Sequence, residues 1–236
     1  MRLCGAALFL QTLLNFHVFF AAALDVLQEE RRSAPENTSQ NWVTLQEEFD
    51  SSLLLSRELL SKTQALTRRY RSERLSEAQL LLVSQSRLLP SASLNLHTWF
   101  SLSDAARLSY MAKTLKFYQG LVQQLKNHEE RQKDSKFQYQ FEELDLDLRD
   151  LSLQVSYEIS LGGLLSEVEP VPTLKPLQIL QHQNPWTNRQ EVYHVLRSLE
   201  SVLRRAVRDF LVLRMRAAQY ASLQGDLKGS GSQSLP

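Results

Sequence analysis

Residues 137–161, FQYQFEELDLDLRDLSLQVSYEISL, decide whether the chain is read as helical or as β-sheet. Leu144-Asp145-Leu146-Asp147-Leu148 alternates like a half-buried strand, but Arg149-Asp150 breaks the alternation. A spacing of fours and threes, which lines one face of a helix, runs through the whole stretch. Its apolar positions are Phe137, Phe141, Leu144, Leu148, Leu151, Val155 and Ile159. The stretch therefore predicts a helix, ending at Gly162-Gly163 because glycine adopts the left-handed terminal conformation at little cost.

Three other stretches carry the same helical spacing. The first covers about residues 42–72, the second starts after the capping-box-like Ser101-x-x-Asp104, and the last follows Asn184-Pro185. All seven prolines lie outside the helix interiors, where they would remove a hydrogen bond. Gly120 lies within the second of these stretches, and we expect it to mark a close contact between helices. The 46 leucines and two isoleucines among 236 residues also favour helix over strand.

The connections between these helices predict how they are arranged. About residues 127–134 alone join the second and third helices, so these two must run antiparallel. The other two connections, about residues 73–101 and 163–185, are long enough to cross a helix of ~42 Å and start the next helix parallel to the last. This order predicts an all-α fold, a long-chain four-helix bundle that is up-up-down-down with two long crossover loops.

The amino terminus has the pattern of a secretory signal peptide. Residues 1–23 contain an early arginine, an apolar run and three closing alanines, which favours cleavage over the alternative of a membrane anchor. Cleavage would remove Cys4, the one cysteine, so the secreted chain would depend on a large core. Asn37-Thr38-Ser39 would then be a glycosylation site. The predicted divisions are a signal peptide at 1–23, a flexible segment at 24–41, a four-helix domain at 42–220 and a disordered tail at 221–236.

Composition and motifs argue against several classes of function. The 27 basic and 26 acidic residues nearly cancel, so the charge excess expected of a nucleic-acid binder is missing from the sequence. Glu191-x-x-His194 resembles half of a di-iron bundle site, but such a site needs a second copy and two further glutamates. The sequence predicts no enzyme activity, cofactor, metal site or membrane insertion.

Charge and aromatic residues are unevenly placed along the chain. Residues 137–161 hold six acids against Arg149, whereas residues 187–220 hold seven arginines against three acids. These patterns fit either solvated helix faces or docking surfaces, and the sequence leaves both open. Trp99 and Trp186 lie in or beside connections, where they are either binding anchors or caps on the ends of the bundle.

Parts of the chain resemble a known cytokine family. Residues 48–60, EFDSSLLLSRELL, resemble the first helix of interleukin-11, a four-helix cytokine of the interleukin-6 type. Asn95-Leu96 resembles its first long loop, and Trp186 through Ala206-Val207-Arg208-x-x-Leu211-x-Leu213 resembles its last helix. The third helix departs from the pattern, because it is acidic here and arginine-rich in interleukin-11.

The resemblance implies a secreted cytokine or growth factor that assembles receptors and triggers JAK/STAT signalling. An interleukin-11 α receptor would bind the end of the last helix and the late first loop, through Arg208 and Arg204. The signalling receptor glycoprotein 130 would bind a face of the first and third helices, and a second copy would bind near the bundle tip. The residues implied for glycoprotein 130 are Arg57, Gln64, Asp147 and Asp150 on that face, and Trp186 flanked by Leu96 and Trp99 at the tip.

The resemblance also implies a chain that is monomeric when unbound. The alternative function is that of an exchangeable lipid-binding protein, since amphipathic helices with basic edges also coat lipid. Vesicle binding followed by circular dichroism separates the two, because a bundle cytokine is expected to gain no helicity.

Overall fold

The computed structural model describes residues 38–75, 89–90, 92, 94–163, 178–182 and 184–230. The helices in these ranges are α1 Thr38–Arg74, α2 Leu96–Phe100, α3 Asp104–Glu130, α4 Gln138–Leu161 and α5 Pro185–Ser230. The bundle belongs to a compact unit of residues 41–236. The predicted signal peptide at 1–23 and the predicted glycosylation site Asn37 lie outside the described ranges and stay predictions. The same holds for most of both long connections and for residues 231–236, which also lie outside these ranges.

One apolar core joins the four long helices, because each helix contributes the face that its spacing predicted. Every apolar position predicted from residues 137–161 is buried, with exposures from 0% to 6%. The helix assignment of this stretch is therefore confirmed. It ends as predicted, with Gly163 in the left-handed region at φ 67°. No helix in the described ranges is both long and apolar enough to cross a bilayer.

Contacts between helix ends give the direction of each helix. The rings of Trp42 and Tyr220 stack with centroids 4.6 Å apart, so the start of α1 meets the end of α5. Arg74 donates to Glu129 at 2.9 Å, so the ends of α1 and α3 also meet. The short connection at 131–137 turns α4 back against α3. Two helices thus run up and two run down, and the predicted up-up-down-down bundle is confirmed.

The start of α3 differs from the prediction. Ser103, not Ser101, is the N-cap, and its Oγ accepts a hydrogen bond from the Ala106 amide at 3.1 Å. Ser101 instead ends the short helix α2, which the sequence did not predict. The side chain of Asn95 caps α2 by accepting from the Thr98 amide at 2.7 Å, so both serines and this asparagine serve local backbone groups.

Two further expectations are wrong. Gly120 faces open space, and a Cβ placed there would meet nothing within 4 Å, so it marks no close contact between helices. Helix α5 continues to Ser230, so residues 221–230 of the predicted tail are helical. The segment contains no proline, and each of its two glycines, Gly225 and Gly229, costs a helix about 1 kcal/mol, which a long helix can tolerate.

Candidate functional site

The first connection is fixed to α5 by a buried polar network. The Trp99 indole N–H and the Arg107 guanidinium both donate to Asp209 Oδ1 at 2.6 Å. The other carboxylate oxygen accepts from Arg205 Nε at 3.3 Å. Arg107 and Asp209 are 0% exposed and Arg205 is 3% exposed. Burial lowers the pKa of Arg107, and the charge of Asp209 opposes this effect.

An exposed surface surrounds this network. Leu96 is 69% exposed and Phe100 is 40% exposed, although both belong to a helix fixed to the bundle. The Arg208 guanidinium lies 5.9 Å from the centre of the Trp99 ring. Leu211 and Met215 follow Arg208 at i+3 and i+7, on the same face of α5. We call this the loop–helix surface, defined by Leu96, Trp99, Phe100, Arg208, Leu211 and Met215.

Most of the basic excess of α5 is neutralised within the chain. Arg197 and Arg204 both pair with Glu200, which is 2% exposed. Arg214 pairs with Asp50 at 3.1 Å, and Arg216 pairs with Asp104. Arg208 forms no ion pair with any carboxylate in the described ranges. It is therefore the cation of the loop–helix surface that is best placed to meet an outside anion, whereas the predicted partner residue Arg204 is engaged by Glu200.

Trp186 lies at the opposite end of the bundle, in the first turn of α5. Its amide donates to Asn184 Oδ1 at 2.9 Å, and its side chain is half-buried. The preceding segment is tied to the helix by Glu191, which accepts from the Leu180 amide at 2.8 Å and contacts His182 Nε2 at 3.0 Å. We call Trp186 and this tethered segment, residues 178–182, the tryptophan end.

The predicted grouping of Trp186 with Leu96 and Trp99 is wrong. Trp99 donates a hydrogen bond to Asp209, which lies about 23 residues after Trp186 along α5. At about 1.5 Å per residue, Trp186 and Asp209 are therefore ~35 Å apart. The topology requires this result, because the first long connection returns the chain to the end where α1 began, whereas α5 starts at the other end. Within the described residues, Trp99 and Trp186 therefore lie at opposite ends of the bundle and do not form one cluster.

The face of α1 and α4 that the resemblance implies for glycoprotein 130 is partly occupied by contacts within the chain. Asp147 accepts from Lys62 Nζ at 2.9 Å, and Glu143 and Glu58 lie within 3.0 Å of the same nitrogen. These carboxylates, Asp147 foremost, raise the pKa of Lys62. Arg57 and Asp150 are exposed and Gln64 is half-buried, so these three predicted residues remain accessible in whole or in part.

Sequence reasoning missed the exposed apolar residues of this face. Leu146, Leu153 and Tyr157 of α4 are 45–62% exposed, and Leu54 of α1 is 65% exposed. The three residues of α4 lie outside the spacing that defines the core, and this is why the helix looked like a strand. The signal in the sequence was the leucines that do not fall on core positions. These leucines indicate an apolar outer face.

The acids of α4 do not all lie on a solvated face. Asp145 is 8% exposed and lies 3.3 Å from Lys126. Glu158 is 0% exposed, and its Oε1 accepts from Ser52 Oγ at 2.6 Å. Its Oε2 has no hydrogen-bond partner within the described part of the chain. Burial raises the pKa of this carboxyl to about 8; the Ser52 bond opposes the rise, and the charge of Glu48 adds to it.

This raised pKa predicts a pH-dependent stability. Between about pH 5 and pH 8 the folded chain keeps the Glu158 proton that the unfolded chain has released, so the free energy of unfolding falls as pH rises. For this group alone the expected loss is roughly 3 kcal/mol over that range. Glu158→Gln should remove this loss in urea denaturation at both pH values, whereas the exposed control Glu142→Gln should keep it. Identical pH slopes for Glu158→Gln and the unaltered chain would contradict the assignment.

Within the described residues, Glu191-x-x-His194 is not part of a group of side chains that could hold a metal ion. Across the described ranges, no group of three or more His, Cys, Asp or Glu side chains is arranged to hold a metal ion. Glu191 of the Glu191-x-x-His194 motif holds the Leu180 amide and His182 instead. Glu191 thereby fixes the segment 178–182 to α5. His194 is half-buried, and burial lowers its pKa.

Comparisons with known proteins agree with the fold. No protein-family model matches the chain. Interleukin-27 subunit alpha of Sus scrofa is 31% identical over 185 residues, which cover 72% of this chain and 74% of the relative. The Homo sapiens protein of the same name is 31% identical over 184 residues, covering 72% and 75%.

Fold and relatives together define a long-chain helical cytokine, a bundle of the up-up-down-down kind with two crossover loops. The chain belongs to the interleukin-27 subunit alpha family. The relatives support the cytokine class and do not support interleukin-11 in particular. The relatives of this chain are cytokines, which are signalling proteins and not enzymes.

Proposed function

We propose that the chain is an exported cytokine that works by bringing receptor chains together at two separate sites on one rigid bundle. The observation that carries this proposal is the placement of the loop–helix surface and Trp186 ~35 Å apart along α5. Two sites at opposite ends of one bundle allow two receptor chains to bind without competing for space. A lipid-binding protein needs no such separation, and the cytokine relatives favour assembly over lipid binding.

The partner proposed for the loop–helix surface is an α-receptor-type chain with a carboxylate opposite Arg208. A guanidinium can hold a carboxylate through two parallel hydrogen bonds, and the exposed apolar residues around it exclude water from the contact. The relatives are named as subunits, and we propose that this chain likewise acts with a second chain. The interleukin-11 α receptor is the first candidate that the sequence resemblance provides.

The partner proposed for the tryptophan end is a receptor of the glycoprotein 130 type, which starts JAK/STAT signalling. A second such receptor would use the exposed parts of α1 and α4, including Arg57, Gln64 and Asp150. The exposed leucines of the same helices support this part of the proposal, because apolar side chains at the centre of an interface contribute much of its affinity.

Arg208→Glu is expected to weaken binding of the α-receptor-type chain by about 2 kcal/mol, or roughly 30-fold, since it places like charges opposite each other. Surface plasmon resonance on immobilised α-receptor ectodomains of the interleukin-6 family measures the change. The matched control is Arg149→Glu, which reverses a charge that is also exposed, on α4. An affinity for Arg208→Glu equal to that of the control would remove Arg208 from the site.

A further inference from the structure

Arg107 is an arginine with no access to solvent, and its contacts are unusual for a core residue. Arg107 lies one turn into α3 and is 0% exposed. Charged side chains are almost never fully buried unless they are paired, so its partners explain its position. One arm of its guanidinium donates to Asp209 of α5 at 2.6 Å. The other arm donates to the main-chain carbonyl of Trp99 at 2.5 Å. Arg107 therefore joins α3 to both α2 and α5.

Core burial does not hold α2 in place, since none of its residues is fully buried. What fixes it is the network around Trp99. The Trp99 ring lies 4.8 Å from the Arg107 guanidinium, and the indole N–H donates to the same Asp209 oxygen that Arg107 contacts. Both the main chain and the side chain of Trp99 are thus fixed by one buried ion pair.

The same ion pair lies directly beneath the proposed receptor contact. Asp209 follows Arg208 in α5, and Arg208 lies over the Trp99 ring at 5.9 Å. A shift of Asp209 or Arg107 would move Trp99 away from Arg208. The shape of the loop–helix surface therefore depends on two residues that no partner can touch.

We propose that Arg107 and Asp209 are positioning residues of the loop–helix surface, which set its affinity for an α-receptor-type chain from inside the bundle. The inference rests on the proposed function of that surface. An arginine is required because its planar fork spans the Asp209 carboxylate and the Trp99 carbonyl together, whereas the single ammonium of lysine is a point donor.

The test compares Arg107→Lys with Arg74→Lys. Arg74 is a matched control at the other end of the bundle, because it too donates both to a carboxylate, Glu129 at 2.9 Å, and to a main-chain carbonyl, that of Asp134 at 2.9 Å. Two quantities are measured on each full-length variant. The first is hydrogen exchange at the Thr98, Trp99 and Ser101 amides, whose bonds hold α2, with core amides such as that of Leu115 as the reference. The second is affinity for the α-receptor ectodomains.

Arg107→Lys is expected to speed exchange at the three α2 amides relative to the core amide and to weaken receptor binding roughly tenfold. Arg74→Lys should leave both quantities as in the unaltered chain. Unchanged α2 exchange in Arg107→Lys, or an equal loss of affinity in Arg74→Lys, would overturn the inference. If the unaltered chain binds no α-receptor ectodomain, the proposed function fails, and the exchange result still decides whether Arg107 positions Trp99.

Discussion

Asp209→Leu is expected to lower the free energy of unfolding by about 3–5 kcal/mol, the largest effect of any substitution considered for this chain. The loss is large because the substitution leaves the Arg107 cation buried at 0% exposure without the anion that pairs with it. The indole N–H of Trp99 and the Arg205 side chain also lose their acceptors, one on each oxygen of the Asp209 carboxylate. Urea denaturation followed by circular dichroism measures the change.

The double variant Arg107→Met/Asp209→Leu should recover much of this loss, because removing both charges leaves no unpaired ion in the core. The exposed pair Arg214–Asp50 provides the control, and Asp50→Leu is expected to cost about 0–1 kcal/mol. A single Asp209→Leu variant no less stable than Asp50→Leu would contradict the account of this network. So would a double variant less stable than the single one.

Trp186→Ala is expected to reduce signalling potency by roughly 30-fold or more. The fold and the binding of the α-receptor-type chain should stay intact. Trp186 is a half-buried aromatic in the first turn of α5, and truncating such an anchor at the centre of an interface commonly costs about 2 kcal/mol or more. STAT phosphorylation in cells that carry glycoprotein 130 type receptors measures the potency. Circular dichroism and α-chain binding measure the two properties that should not change.

Trp42→Ala is the control for this prediction. Trp42 is also half-buried, but its ring packs on the core and stacks on Tyr220, so its loss should lower thermal stability more than potency. A Trp186→Ala variant that loses helicity, α-chain binding and signalling together would assign Trp186 to the core. A variant with full potency would remove it from the receptor site.

The arrangement of the four long helices was predictable because apolar spacing and connection length are both written in the sequence. The apolar positions of residues 137–161 that face the core were identified individually, and all are buried. Local capping was harder, because Ser101 and Ser103 have the same chemistry and only the unpredicted helix α2 decides which of them caps α3.

The separation of the two aromatic sites was also available from the sequence. Once the bundle is up-up-down-down, the start of its second long helix and the start of its last long helix must lie at opposite ends. Trp99 precedes the former and Trp186 begins the latter, so the two could not flank each other. The family resemblance implied a grouping that the predicted directions of the helices exclude.

The buried charges could not be paired from the sequence. Arg107, Asp209 and Glu158 each lie next to an apolar core position, namely Leu108, Phe210 and Ile159. Such a position lies at the boundary between core and surface. A charged side chain there is buried only if another helix supplies a group that pairs with its charge. Which helix supplies that partner depends on packing that a single helix pattern does not contain.

Receptor assembly by the two ends of the bundle is tested most directly by binding the chain, secreted from cells that express it in full, to immobilised α-receptor ectodomains of the interleukin-6 family, with and without soluble glycoprotein 130 ectodomain. We predict saturable binding to one α-receptor ectodomain, and slower dissociation when glycoprotein 130 is present, because each receptor uses its own end of the bundle. A helical, monodisperse sample that binds neither receptor type, or in which the two receptors compete for the chain, would contradict the account.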